Sequence, residues 1–285
     1  MTASLARSVP ARSGPPLGRA WLSALSAVAV FGASTILLSV LFSLAVAPWV
    51  ELEWWRVFRR CVSVAAFMSL WWFTRVRERR PLASYGLAPS GAGNAQLRFG
   101  LLLGAVSLGL VLGAGLATGA CRIDVTDDRV RLWRTALGFI PAALLVAVLE
   151  ELIFRGFMLQ RLAACSRIGA VILSSAVYAA VHLKSPAFTL LTWLELGGLF
   201  LLGVVLSLSY LASGQLWLAV GLHGALAYGA RVNKLVVSFV DPSMAWLTGT
   251  SRLVNGLVGW IVLVGLGGVV WWWGRRHEGG FAHGK

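Results

Sequence analysis

Apolar residues in this chain come in long blocks separated by short polar stretches, at about 21–47, 57–73, 99–120, 136–160, 168–184, 189–211, 215–230 and 253–273. A helix of about twenty such residues crosses the ~30 Å of hydrocarbon in a bilayer. The pattern therefore predicts an all-α polytopic membrane protein of about eight transmembrane helices. The first block could be mistaken for a secretory signal, because Ala45-Val46-Ala47 mimics a cleavage site. It is too long for an apolar core of about 7–15 residues, and Pro48 follows directly. It reads as the first membrane helix.

Composition sharpens this reading. The 285 residues are 58% hydrophobic and 13% charged, too little charge to coat a soluble domain of this length. Fourteen Trp, many near block ends, suit an interfacial aromatic belt. The net charge of +14 does not indicate nucleic acid, since the basic residues sit in loops and tails between apolar blocks. There the positive-inside bias and anionic lipid headgroups account for them. The dense run Arg75, Arg77, Arg79, Arg80 puts that loop, and with it both termini, on the inner side. Cys61, Cys121 and Cys165 have no CxxC spacing and read as small core residues. The chain divides into a disordered basic tail (1–20), N-terminal membrane helices and loops (21–135), a helical core (136–230), an outer loop with the last membrane helix (231–274) and a C-terminal tail (275–285).

Ionisable residues inside apolar blocks carry the functional signal, because a charge at membrane depth is costly and usually faces the protein interior. In ALLVAVLEELIFRGFMLQRL, Glu151 precedes Arg155 by four residues, the favourable order for an ion pair on one helix face. Glu150 lies ~100° around the helix from Glu151 and is left free. His182 and His223 lie in later blocks. At ~1.5 Å per residue from the inner helix ends, Glu150, His182 and His223 fall at roughly 15, 21 and 12 Å, near the middle of the membrane. A carboxylate with two imidazoles at one depth is a water-activating or metal-binding set. Glu195, in FTLLTWLELGGLF, reads as structural or solvated. No HExxH zinc motif occurs and no Asp lies inside a block. Ser213-Gly214 falls between blocks and reads as a turn.

In these residues the chain resembles the CAAX-processing and bacteriocin-processing (CPBP) family of intramembrane proteases, which includes the type II prenyl-protein endopeptidases. The EExxxR motif is Glu150-Glu151-Leu152-Ile153-Phe154-Arg155. FxxxH is matched by Tyr178-Ala179-Ala180-Val181-His182, with Tyr for Phe, and FxxG by Phe200-Leu201-Leu202-Gly203. The turn into Leu-Trp resembles Ser213-Gly214-Gln215-Leu216-Trp217. The last motif is His followed four residues later by Asn or Asp; His223 fits, but Ala227 stands in the fourth place.

The resemblance implies a central helical-bundle active site. In it Glu150, helped by His182, would activate a water, His223 would stabilise the oxyanion, and Glu151 with Arg155 would support the helix. It implies an endopeptidase acting on a membrane-associated protein or peptide, with membrane lipids and substrate as partners. The location implied is a multi-pass position in a bacterial-type cell membrane. No cofactor is expected; a divalent metal such as zinc, held by Glu150, His182 and His223, is the alternative. Ala227 leaves open a non-catalytic membrane-binding relative. A proton-coupled transporter would also use buried Glu and His, but the chain shows no inverted repeat. Prenylated proteins, leader peptides, sorting-signal tails and anti-sigma factors all remain open as substrates.

Overall fold

A computed structural model describes residues 17–182, 189–250 and 254–281 of the chain. The helices are α1 Leu17–Val46, α2 Trp54–Trp72, α3 Gly91–Ala117, α4 Arg129–Glu151, α5 Gln160–Ala163, α6 Arg167–Val181, α7 Leu190–Ser213, α8 Trp217–Val236, α9 Ala245–Thr248 and α10 Leu257–Phe281. Two short strands, β1 Cys121–Ile123 and β2 Val237–Phe239, pair antiparallel and tie the end of α3 to the end of α8. The eight apolar blocks correspond to the eight long helices, α1–α4, α6–α8 and α10. Of the eight expected spans, five among the described residues are long and apolar enough to cross a membrane by themselves: the α1, α3, α4–α5, α7 and α10 segments. With 15 residues, α6 reaches only ~22 Å. Large apolar side chains such as Leu22, Ile36, Leu37 and Ile261 stand exposed along the outer helices, as lipid-facing residues do.

Several boundaries differ from the sequence reading. Residues 17–20, expected in the basic tail, are helical, since no Pro follows Pro16 there and α1 starts at Leu17; residues 1–16 lie outside the described residues. The block at 136–160 is not one uniform helix. It is α-helical to Glu151, π-helical over Leu152–Leu159, and α-helical again in α5. The block at 168–184 stops being helical at Val181, and residues 183–188, Lys184 among them, lie outside the described residues. Of the three cysteines, all free, Cys121 is buried, whereas Cys61 and Cys165 are half-buried and not core residues.

The most buried helix is α8. Every residue from Leu218 to Gly224 is buried, with α3 and α4 packed against it. Lipid is as apolar as leucine, so burial alone does not drive membrane helices together; close van der Waals contact must do so. Gly100 and Gly104 on α3 supply the small-xxx-small spacing for that approach. A β-carbon at Gly100 would overlap the Leu218 carbonyl, and one at Gly221 the Leu97 carbonyl. This contact fixes α8, and with it His223 two residues further on.

We expect Gly221→Ala to destabilise the protein by about 1–3 kcal/mol through overpacking. Gly109→Ala, on α3 with open space where its β-carbon would go, should be neutral or stabilising by about 0.5–1 kcal/mol. Thermal unfolding of the purified protein in detergent compares the two. Equal shifts would show that the α3–α8 approach is not the constraint.

Candidate active site at the junction of α4, α6 and α8

Glu150 and Glu151 are the last two residues of α4, directly before the π-helical stretch that carries Arg155. π-Helical turns are rare and often mark functional sites. Here the wide turn lets Arg155 reach back to Glu151 and sideways to α7. Its Nη1 donates to Glu151 Oε1 at 3.0 Å, and its Nη2 donates to the Gly203 carbonyl at 3.0 Å. Both side chains of the ion pair are fully buried. Gly203 is the glycine of the FxxG match, and α6 passes close beside it: a β-carbon there would press on Ser175 at 2.9 Å.

His223 is buried on α8 and directs Nδ1 to Glu151 Oε1 at 2.8 Å. One carboxylate oxygen thus accepts from both the guanidinium and the imidazole. His182 is the C-cap of α6. Its backbone N–H bonds to Ala179 O, a tightened turn that frees the carbonyl of Tyr178. The His182 ring takes that carbonyl, with Nδ1 2.8 Å from Tyr178 O. A carbonyl can only accept, so Nδ1 of His182 carries the hydrogen and Nε2 is the inward-facing nitrogen. A carboxylate imposes the same tautomer on His223.

Glu150 lies between the two. Its Oε2 is 3.3 Å from His182 Nε2 and 3.7 Å from His223 Nε2. Among the described residues this buried oxygen has no hydrogen-bond partner, so both contacts are ion-pair distances and not directed hydrogen bonds. A buried acceptor in that position has unmet capacity, which a water or a substrate group can fill. The Glu150 and His182 side chains remain about a quarter exposed, whereas His223 is nearly closed off.

The three residues singled out from sequence depth therefore meet around one carboxylate oxygen. The Glu151–Arg155 pair also forms as the four-residue spacing predicts. Sequence reasoning missed the Glu151–His223 bond, because which of two adjacent carboxylates faces a residue 72 positions away depends on packing. It also undervalued Tyr178. That ring lies 4.3 Å from the His182 ring, 6.1 Å from the His223 ring and 4.8 Å from the Arg155 guanidinium carbon, and so forms one wall of the site. Glu195, near the start of α7, is half-buried. Ser213 Oγ donates locally at the end of α7 before Gly214, whose φ of 66° makes the expected turn.

Residues 132–228 match the family model described as type II CAAX prenyl endopeptidase Rce1-like, a protease family. That stretch contains Glu150, Glu151, Arg155, His182, His223 and Ala227. No curated protein and no solved structure matches the chain.

Glu151→Ala should cost about 3–5 kcal/mol, because it strands a buried guanidinium and unties His223. Adding Arg155→Met should recover part of that loss by removing the unpaired charge. A double-mutant cycle on thermal unfolding measures the coupling. Additive effects would mean that the pair is not an energetic unit.

Proposed function

From the match of residues 132–228 to the type II CAAX prenyl endopeptidase model, we propose that the protein is an intramembrane endopeptidase whose nucleophile is a water activated by Glu150 and His182. The substrate is a membrane-associated protein or peptide. The observation that carries this reading is the unpartnered Glu150 Oε2 flanked by two inward-facing imidazole nitrogens. A water seated there donates one hydrogen to Glu150 and turns a lone pair toward the scissile carbonyl. Glu150 takes the proton as the carbon–oxygen bond forms, and the proton passes to the leaving amine as the peptide bond breaks. His223, held by Glu151, stabilises the developing oxyanion when its Nε2 is protonated. Glu151 and Arg155 are positioning residues.

Charge balance favours a metal-free mechanism. The buried set has two carboxylates and one guanidinium, so a single imidazolium makes it neutral. A dication held by neutral imidazoles would leave an excess positive charge at low dielectric. For that reason no step of the mechanism runs through a metal ion.

The position of Ala227, four residues after His223 on the same helix face, bears on rate. The resemblance puts Asn there, and loss of one oxyanion donor typically slows an enzyme by ~10²–10³. The protein is therefore a slow peptidase, and a non-catalytic membrane-binding relative is the reading to exclude.

Cleavage of a farnesylated CAAX peptide and of its unprenylated counterpart, followed by mass spectrometry with the protein in vesicles, tests the assignment. Glu150→Gln and His182→Asn, whose amide can still donate to the Tyr178 carbonyl, should fold and lose about 10²–10⁴ in rate. Ala227→Asn should raise kcat by at least about tenfold. No turnover of either peptide by the wild type or by Ala227→Asn would favour the binding protein.

The metal question has its own test. The purified protein should hold no stoichiometric metal and keep its activity under a membrane-compatible chelator. One equivalent of zinc in the wild type, lost in both His182→Ala and His223→Ala, would instead establish the metalloprotease.

A further inference from the structure

A cavity of about 860 Å³ opens at the end of the bundle where α1 begins, α2 ends and α5 meets α6. Arg19, Arg77, Arg80 and Arg161 line it, with Glu78 the one carboxylate in its wall. Glu78 is already engaged, accepting from both Arg161 and the Tyr85 hydroxyl. Among the described residues, no carboxylate pairs with Arg19, Arg77 or Arg80. The sixteen residues before α1 contain no Asp or Glu that could balance them.

Three of the four guanidinium groups lie over aromatic faces. Arg161 stacks over Phe157 at 3.8 Å, Arg80 over Tyr85 at 5.0 Å and Arg77 over Phe73 at 5.8 Å. Arg79, between the last two, has a φ of 54°, a left-handed conformation that costs a non-glycine residue ~1–2 kcal/mol. That bend returns the Arg80 N–H to the Thr74 carbonyl at 3.0 Å and sets Arg77 and Arg80 on one rim. The wall also has an apolar part, with Ala24 and Phe73 buried and Ala27 packed against the core.

We propose that this cavity binds the headgroup of an anionic phospholipid. The arginines take the phosphate, and the Ala24, Ala27 and Phe73 wall takes the glycerol and upper acyl carbons. A phosphate matches the clustered guanidinium donors and the unbalanced charge. The apolar part of the wall and the position at the ends of membrane-spanning helices fit a lipid better than a free phosphate, because basic pockets at this depth hold anionic headgroups. Its occupant bridges α1, the end of α2 and the end of α5. It is distinct from the Glu150 cluster and does not depend on the hydrolytic reading.

The test titrates the full-length protein in mixed micelles with phosphatidylglycerol, phosphatidylcholine or inorganic phosphate, followed by native mass spectrometry and thermal unfolding. Phosphatidylglycerol should bind and stabilise in preference to phosphatidylcholine, and the double variant Arg77→Gln/Arg80→Gln should weaken it roughly 30-fold. Ser23→Trp, which fills the cavity mouth without changing charge, should weaken it similarly and serves if the arginine variant folds poorly. Arg275→Gln/Arg276→Gln removes the same charge from outside the cavity and should leave binding unchanged. Equal loss in that control, or equal binding of phosphatidylcholine, would overturn the proposal. So would stabilisation by inorganic phosphate without a preference for phosphatidylglycerol, which would assign the cavity to a soluble anion.

Discussion

The arrangement of the site depends on one buried ion pair, Glu151 with Arg155. Neither group touches water, so each needs the other to be tolerated at all. The pair does more than neutralise itself. Through Gly203 it docks the α4 segment on α7, and through His223 it docks the same segment on α8. Three helices are thus referenced to one carboxylate oxygen. Glu150, one residue earlier, is aimed by default into the space between the two imidazoles. Adjacent carboxylates therefore divide the work: Glu151 Oε1 is spent on architecture, while Glu150 Oε2 faces the two imidazoles.

Much of this was legible in the sequence. Membrane depth can be counted along a helix, and a charge in hydrocarbon must face inward, so the sequence alone brings Glu150, His182 and His223 to one depth. The spacing of Glu151 and Arg155 foretold their pairing for the same reason. The rest was hidden by the kind of information it requires. Helical periodicity assumes regular turns, so the π-helical stretch over Leu152–Leu159 has no signature in the apolar pattern. The β1–β2 pairing joins segments 116 residues apart at Arg122 and Ser238, and three-residue strands are too short for alternation to be read. The early end of α6 was missed because Val181, His182 and Leu183 are as apolar or ambiguous as the residues before them.

Both the Glu150 cluster and the arginine-lined cavity are built on the α4–α5 segment, with Arg155 and Arg161 six residues apart. One is a nearly balanced set of charges deep in the bundle. The other is an unbalanced set at its rim, where screening and lipid counter-charge are at hand. A low dielectric permits only the first arrangement at depth, which is why the dense arginine run lies in and just after Phe73–Arg77, the π-helical end of α2, and not deep within a span.

The way α6 ends has a consequence for how the histidine there must be studied. His182 caps its own helix: its ring fills the carbonyl that its backbone N–H has released. Deleting the ring therefore removes a reactive nitrogen and, in the same stroke, the clasp on the final turn. Fraying of that turn would carry Tyr178, and with it the wall of the site, out of register. A polar replacement able to donate to the Tyr178 carbonyl would keep the clasp while losing the chemistry. At this position, chemical role and helix termination can be told apart only by choosing what replaces the ring.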